Sequence, residues 1–343
     1  MRVKDTEVYK AAFTNGITVR DFDPVQIYDS ELTPEILDIS ITSRCNLECP
    51  YCYRSATSYG KDLSFGEFLE TFLFHMNELS RPFQVALGGG EPSLHPEFCD
   101  MIEFLHHIEV VPNYTTNGTA LLNDDIVTVT ERYCGGVALT YHENNPGLFE
   151  KSFPVLTSLK IQRNVHIIAK HNRVGELKSF IERYRDSVDM IVILEFHNVG
   201  RAKQMSSETL QRSDLDELKE LFSEYPDGKL AVGASLTHLL IEMAVEREYS
   251  FHEMAMLFWN SDSLMTGFID ENLVLKPSSF WTGSGVDLRK YSTFKEAYNS
   301  NLFKELRKKL KNLSKHCDYS TICNGGMHGD FCFRCKLRKE IEL

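Results

Sequence analysis

The chain has 343 residues, a formal net charge of −12, and a composition that is 42% hydrophobic and 11% aromatic. So much apolar material can bury a sizeable core, which excludes a disordered chain, and the acidic balance argues against a nucleic-acid surface, where phosphates demand a concentrated basic face. No stretch approaches the roughly 20 consecutive apolar residues of a membrane span, and Met1 to Arg20 lack the basic and apolar segments of an export signal; a cytoplasmic protein without membrane contact is expected.

Residues 1–35 read as an N-terminal extension with two short strands, too short for an independent domain. From Ile36 onward, apolar β-prone runs alternate with amphipathic stretches of helix length. The predicted strands are Ile36–Thr42, Gln84–Leu87, Val110–Thr115, Gly136–Thr140, Val165–Ala169 and Met190–Phe196. Helices are predicted near Ser64–Leu79, Pro96–His107, Asn123–Tyr133, Leu148–Leu159, Gly175–Arg185 and Asp214–Tyr225. This alternation predicts an α/β fold with a parallel sheet, and six units are too few to close an eight-stranded barrel. Residues 36–228 are therefore expected to form a partial (β/α)6 barrel working at the C-terminal ends of its strands. Residues 229–343 form a second, small module: an apolar helix at Leu236–Arg247, a Gly- and Ser-rich stretch at Ser261–Val286, a basic helix and a cysteine-rich tail. Arg307, Lys308, Lys309 and Lys311 on that basic helix read as a solvated face, with a phosphate or acidic-peptide contact as the alternative.

Nine cysteines without an export signal point away from disulfides and toward ligands. Cys45, Cys49 and Cys52 share one loop directly after the first barrel strand, with the spacing Cys-x3-Cys-x2-Cys. Three thiolates there fill three corners of a cubane iron–sulfur cluster and leave one iron open, and an open metal position is what catalysis needs. A zinc site is the competing reading, although zinc wants a fourth ligand. Gly88, Gly89, Gly90, Glu91 and Pro92 follow the second strand, where glycine lets the backbone approach a ligand closely.

The cysteine loop, with the aromatic Tyr51 before its last cysteine, resembles the signature of the radical S-adenosylmethionine (SAM) superfamily. The resemblance implies a [4Fe-4S] cluster whose open iron chelates SAM, and Tyr51 beside the adenine. It also implies reductive cleavage of SAM to a 5′-deoxyadenosyl radical, and a flavodoxin- or ferredoxin-type electron donor. Gly89, Gly90 and Glu91 resemble the family's Gly-Gly-Glu motif for the SAM ammonium. Asn117, in Thr115-Thr116-Asn117-Gly118, and Thr140 fall where relatives contact SAM, but His142 replaces the acid of the usual Ser-x-Asp. The arginine expected in the next loop is missing, with Lys151 as the available substitute. His166 is either a polar contact to SAM or substrate, or a core histidine. Gly200-Arg201-Ala202 resembles the family's closing Gly-Arg-Ala.

Cys317, Cys323, Cys332 and Cys335 resemble the tail of the SPASM and twitch subgroup, with fewer cysteines than a full SPASM module. One auxiliary [4Fe-4S] cluster with four protein ligands is expected, and zinc is the alternative. An electron-accepting second cluster favours net oxidation, and the subgroup resemblance implies a ribosomally made peptide as substrate, crosslinked, bridged by a thioether, or epimerised. Epimerisation needs a hydrogen donor, for which Cys99 and Cys134 are candidates against a plain packing role; Glu195 is a candidate base against a structural ion pair. The alternatives are radical SAM oxidation or rearrangement of a small molecule, namely an aminocyclitol, tetrapyrrole or nucleotide precursor, and a non-catalytic metal-binding scaffold.

Overall fold

In a computed structural model that describes residues 1–14, 16–22, 26–251, 253–254, 264–313 and 317–323, the chain divides into two units. The first takes in Met1–Leu37, Leu69–Phe83 and Ala234–Leu343 and the second Asp38–Phe68 and Gln84–Gly233. The chain opens with an antiparallel sheet of three strands, β1 (Arg2–Asp5), β2 (Tyr9–Thr14) and β3 (Ile17–Phe22), one more than the sequence suggests.

The second unit is built on β4 (Ile36–Thr42), β5 (Gln84–Gly89), β6 (Val111–Thr116), β7 (Gly136–Thr140), β8 (Gln162–Ala169), β9 (Met190–Glu195) and β10 (Leu230–Val232). They lie side by side in chain order, parallel from β5 to β10. Helices α1 (Phe65–Leu73), α2 (Phe98–His107), α3 (Asp124–Tyr133), α4 (Pro146–Ser158), α5 (Val174–Tyr184) and α6 (Arg212–Glu224) connect successive strands. This is the expected partial barrel with one further strand: β10 is three residues long, too short to register as a period. Asn123 caps α3 by accepting from Asp125 N and Ile126 N, which satisfies two of the donors a helix start leaves open.

Pairing in register fixes which side chains share a face. Tyr114 reaches α3 through its hydroxyl, 2.8 Å from Thr130 Oγ1, so its row of Val137, then Leu139, Val165 and Ile191, faces the helices. The opposite, inner face carries Thr115 and Ala138, Thr140 and His166, Ile168 and Leu194. Between α4 and α5 the helical layer closes on Phe149, Phe153, Phe180 and Tyr184, with ring centroids 4.6–5.7 Å apart.

In the first unit α7 (Thr237–Glu246) packs Ile241 and Ala244 against Met254 and Ile322. Strands β11 (Thr266–Ile269), β12 (Val274–Lys276) and β13 (Val286–Asp287) pair antiparallel within the Gly- and Ser-rich stretch. The basic helix spans Asn301–Leu313. One of its cations is not solvated: Arg307 is buried and donates to Asn299 Oδ1 at 2.6 Å and Tyr298 O at 3.1 Å. It is a structural charge, because it shares a helix face with the buried Phe303 and Leu310.

Candidate active site

The end of β4 runs straight into the three-cysteine loop, and backbone bonds shape it: Cys45 N donates to Thr57 O at 2.8 Å and Cys52 N to Cys49 O at 3.1 Å. Arg201, after β9, clamps the loop from outside. Its Nε donates to Cys49 O at 2.9 Å, its Nη1 to Ala56 O at 2.6 Å, and its own amide to Cys52 O at 3.1 Å. Gly200 has φ +61, and a Cβ there would stand 2.3 Å from Tyr53 O, so only glycine lets the clamp come this close. Cys49 and Tyr51 form a small apolar cluster with Phe196 and Ala202, which gives the loop a core of its own.

Burial pushes the Cys45 and Cys49 thiols up, and the neighbouring cysteines of the trio add to the rise. Three sulfurs near enough to oppose one another's ionisation are a natural seat for cationic iron, which reverses that balance. The set of three thiolates fits an iron–sulfur cluster with one open iron. Among the described residues, no three His, Cys, Asp or Glu side chains converge on a single-ion cage. Cys45 Sγ takes the Leu47 amide at 3.4 Å and Asn117 Nδ2 at 3.8 Å; Cys49 Sγ lies 3.5 Å from His142 Nδ1.

Beside the loop, Gly90 N donates to Thr42 O at 2.7 Å and Glu91 N to Arg44 O at 2.8 Å. This ties the glycine motif to the strand that carries the cysteines. Glu91 is 1% exposed and its carboxylate accepts from Ser93 Oγ at 2.6 Å, Thr116 Oγ1 at 2.8 Å and Asn117 N at 2.8 Å. Burial nonetheless pushes its carboxyl up, against those three donors. No Lys, Arg or His among the described residues pairs with it, so an ammonium ligand would supply the missing countercharge. Asn117 extends the same network, donating to Asn46 Oδ1 at 2.9 Å within the cysteine loop.

Thr140 ends β7 in register with His166 on β8, and both face inward; burial pushes the His166 imidazole down to about 4. A cavity of about 340 Å³ opens against Tyr51, with Tyr141, Ile168, Lys170, Phe180 and Tyr184 among its walls. Lys170 is buried, its Nζ 4.5 Å from the Tyr51 ring centre and in contact with Glu143, which also binds Arg173 at 2.7 Å. The sequence reading missed these cations, although the run Lys170-His171-Asn172-Arg173 directly after a predicted strand was a visible signal. Lys151 is exposed on α4.

Other candidates stand elsewhere. Glu195 ends β9 in register with Ala169, in the row of Ile191 and Ile193 rather than that of Thr140 and His166. Cys134 lies two residues before β7 begins, at the opposite strand ends from the cysteine loop, and burial pushes its thiol up with Cys99 adding to the rise. Cys99 lies on α2. Of the tail cysteines, Cys317 is buried and Cys323 packs against the α7 cluster, while Cys332 and Cys335 lie outside the described residues. Among the described residues no helix is long and apolar enough to cross a membrane.

Residues 39–139 match the family model described as the Radical SAM superfamily. The chain is 30% identical over 99 residues to a probable GTP 3',8-cyclase of Methanothermobacter marburgensis, covering 28% of this chain and 32% of that protein. It is 32% identical over 107 residues to the tungsten-containing aldehyde ferredoxin oxidoreductase cofactor-modifying protein of Pyrococcus furiosus, covering 31% of this chain and 29% of that protein. The chain therefore spans about a third of the length of these curated relatives. Among solved structures, Streptococcus suis SuiB bound to precursor peptide SuiA shares the fold, with a TM-score of 0.67 at 14% identity over 93% of this chain and 77% of that one. With the three-cysteine loop inside the matched segment, residues 39–139 carry a radical SAM superfamily domain, and the fold around it is shared with SuiB.

Proposed function

We propose that this chain modifies a ribosomally made peptide, with Cys45, Cys49 and Cys52 holding the cluster and Glu91 receiving the SAM ammonium. The observation that carries the SAM site is the buried Glu91 carboxylate, held by three donors beside the cysteine loop and with no cationic partner among the described residues. When bound, cluster and SAM supply one-electron cleavage of a carbon–sulfur bond, yielding a 5′-deoxyadenosyl radical that takes a hydrogen atom from the substrate. Gly89, Gly90 and Asn117 hold the strand edge around the ligand; Thr140 and His166 line the inner face; Tyr51 offers its ring to the adenine. The likeness in fold to SuiB, solved with a precursor peptide, supports the peptide class. Cys317, Cys323, Cys332 and Cys335 are proposed to hold one auxiliary cluster, which would take the second electron of an oxidative crosslink. The electron donor is proposed to be a flavodoxin or ferredoxin.

Anaerobically reconstituted, dithionite-reduced protein is expected to form 5′-deoxyadenosine from SAM, and a Cys45/Cys49/Cys52→Ala triple variant to form none. Co-expression with a library of short precursor peptides is expected to give a peptide lacking two hydrogens by mass spectrometry. The sequence match to a GTP 3',8-cyclase favours a second reading, a nucleotide substrate. Consumption of GTP with the peptide mass unchanged would decide for it.

Glu91→Gln is expected to weaken SAM binding roughly 10- to 100-fold by calorimetry, because a charge-assisted hydrogen bond contributes about 1.5–3 kcal/mol. The fold should survive: a Gln Nε2 can turn toward the Ser93 hydroxyl, which accepts, leaving its oxygen for Asn117 N. Unchanged affinity with wild-type iron content would remove Glu91 from the SAM site.

A further inference from the structure

The residues after β7 carry an arrangement around one of the three cysteines that this assignment does not use. Cys49 Sγ lies 3.5 Å from His142 Nδ1, and that nitrogen also lies 3.4 Å from Tyr51 Oη. Tyr51 donates to Asn144 Oδ1 at 3.1 Å. The Asn144 side chain is also hydrogen-bonded to the Cys49 sulfur.

Proton accounting settles the direction of these bonds. A tyrosine hydroxyl has one hydrogen, and here it goes to Asn144 Oδ1, an atom that only accepts. Tyr51 Oη therefore meets His142 Nδ1 as an acceptor, so Nδ1 carries the imidazole hydrogen and shares it between Oη and the sulfur. With Asn144 Oδ1 occupied by the hydroxyl, the amide nitrogen is what that side chain has left for Cys49. An iron-bound cysteine is a thiolate with no hydrogen to give, so both contacts become N–H···S bonds.

We infer that His142 and Asn144 are positioning residues that donate to the Cys49 thiolate and raise the cluster's reduction potential. The physical reason is that a donor aimed at a ligand sulfur draws off the negative charge that the extra electron increases, which eases reduction. Cys45 Sγ takes donors as well, from the Leu47 amide and Asn117 Nδ2, but among the described residues only Cys49 of the three has an imidazole beside its sulfur. The inference rests on the reading of the cysteine loop as a cluster site.

The test is a redox titration of the reconstituted holoprotein without SAM, followed by the paramagnetic signal of the reduced cluster. His142→Phe and Asn144→Leu are each expected to shift the midpoint to more negative potential at wild-type iron content, and the double variant to shift it further. His142→Gln, which keeps a donor, is expected to recover part of the shift. In vibrational spectra the iron–sulfur(cysteine) stretch should move to higher frequency when a donor is lost, which a merely structural change would not do in step with potential. Midpoints and stretches that match the wild type, with iron retained, overturn the inference alone. Wild-type protein that binds no iron overturns the cluster reading and the inference together.

Discussion

Gly90→Ala is expected to abolish cluster loading: iron per chain after anaerobic reconstitution falls to a small fraction of the wild-type value, while Gly88→Ala retains it. A Cβ on Gly90 would stand 2.0 Å from the Arg44 carbonyl oxygen and 2.6 Å from its carbon, whereas a Cβ on Gly88 meets nothing within 4 Å. Arg44 cannot yield cheaply. Its carbonyl accepts from Glu91 N at 2.8 Å, and its guanidinium pairs with Asp62 at 2.7 Å, so backbone and side chain are both held where Cys45 begins. Relief of the clash must therefore come from displacing the loop, and a cubane tolerates little displacement of its sulfurs. Equal iron in the two variants would show that the glycine motif does not support the loop. In the sequence, glycine at this point suggests close approach to a ligand. At Gly89 and Gly90 there is a nearer cause, because the neighbour is the protein's own backbone.

That difference marks how far the residues could be read without a fold. β4, β7 and β9 fall within a residue of their predicted bounds, because buried parallel strands are written as runs of Ile, Val and Leu. The cysteine loop and the glycine motif were legible for the same reason: each is local in sequence. What surrounds them is not. His142 reaches Cys49 across 93 positions, Arg201 reaches Cys49 O across 152, and Thr116 reaches Glu91 across 25, and no periodicity encodes such pairings. Arg307 is the instructive exception: its basic neighbours suggest a solvated face, while its spacing from Phe303 and Leu310 already placed it on the apolar one.

Arg20→Met is expected to cost the first unit about 3–5 kcal/mol at about pH 9, where Glu35 is ionised, the usual consequence of stranding one member of a buried ion pair. Arg20 meets Glu35 through two nitrogens, with Nε 3.0 Å from both carboxylate oxygens and Nη2 2.7 Å from one, and Glu35 is 1% exposed. Lys4, the other cation close enough to act on Glu35, is committed to Thr33 Oγ1 at 2.9 Å and Leu79 O at 3.0 Å, and burial pushes its ammonium down to about 7. It cannot replace the guanidinium fork. Burial holds the Glu35 carboxyl up at about 8. A carboxyl whose folded pKa exceeds its unfolded one adds stability that is complete below the unfolded value and lost as pH rises through the folded value. Without Arg20 the folded value climbs further, so the deficit should be larger at about pH 9 than at about pH 5. Urea midpoints followed by circular dichroism at both pH values measure it. Arg20→Met/Glu35→Leu should recover most of the loss, because removing both charges leaves nothing stranded. A single variant within about 1 kcal/mol of wild type at both pH values, the range of ordinary substitutions, would show that the pair is not what secures β3 to the segment before β4.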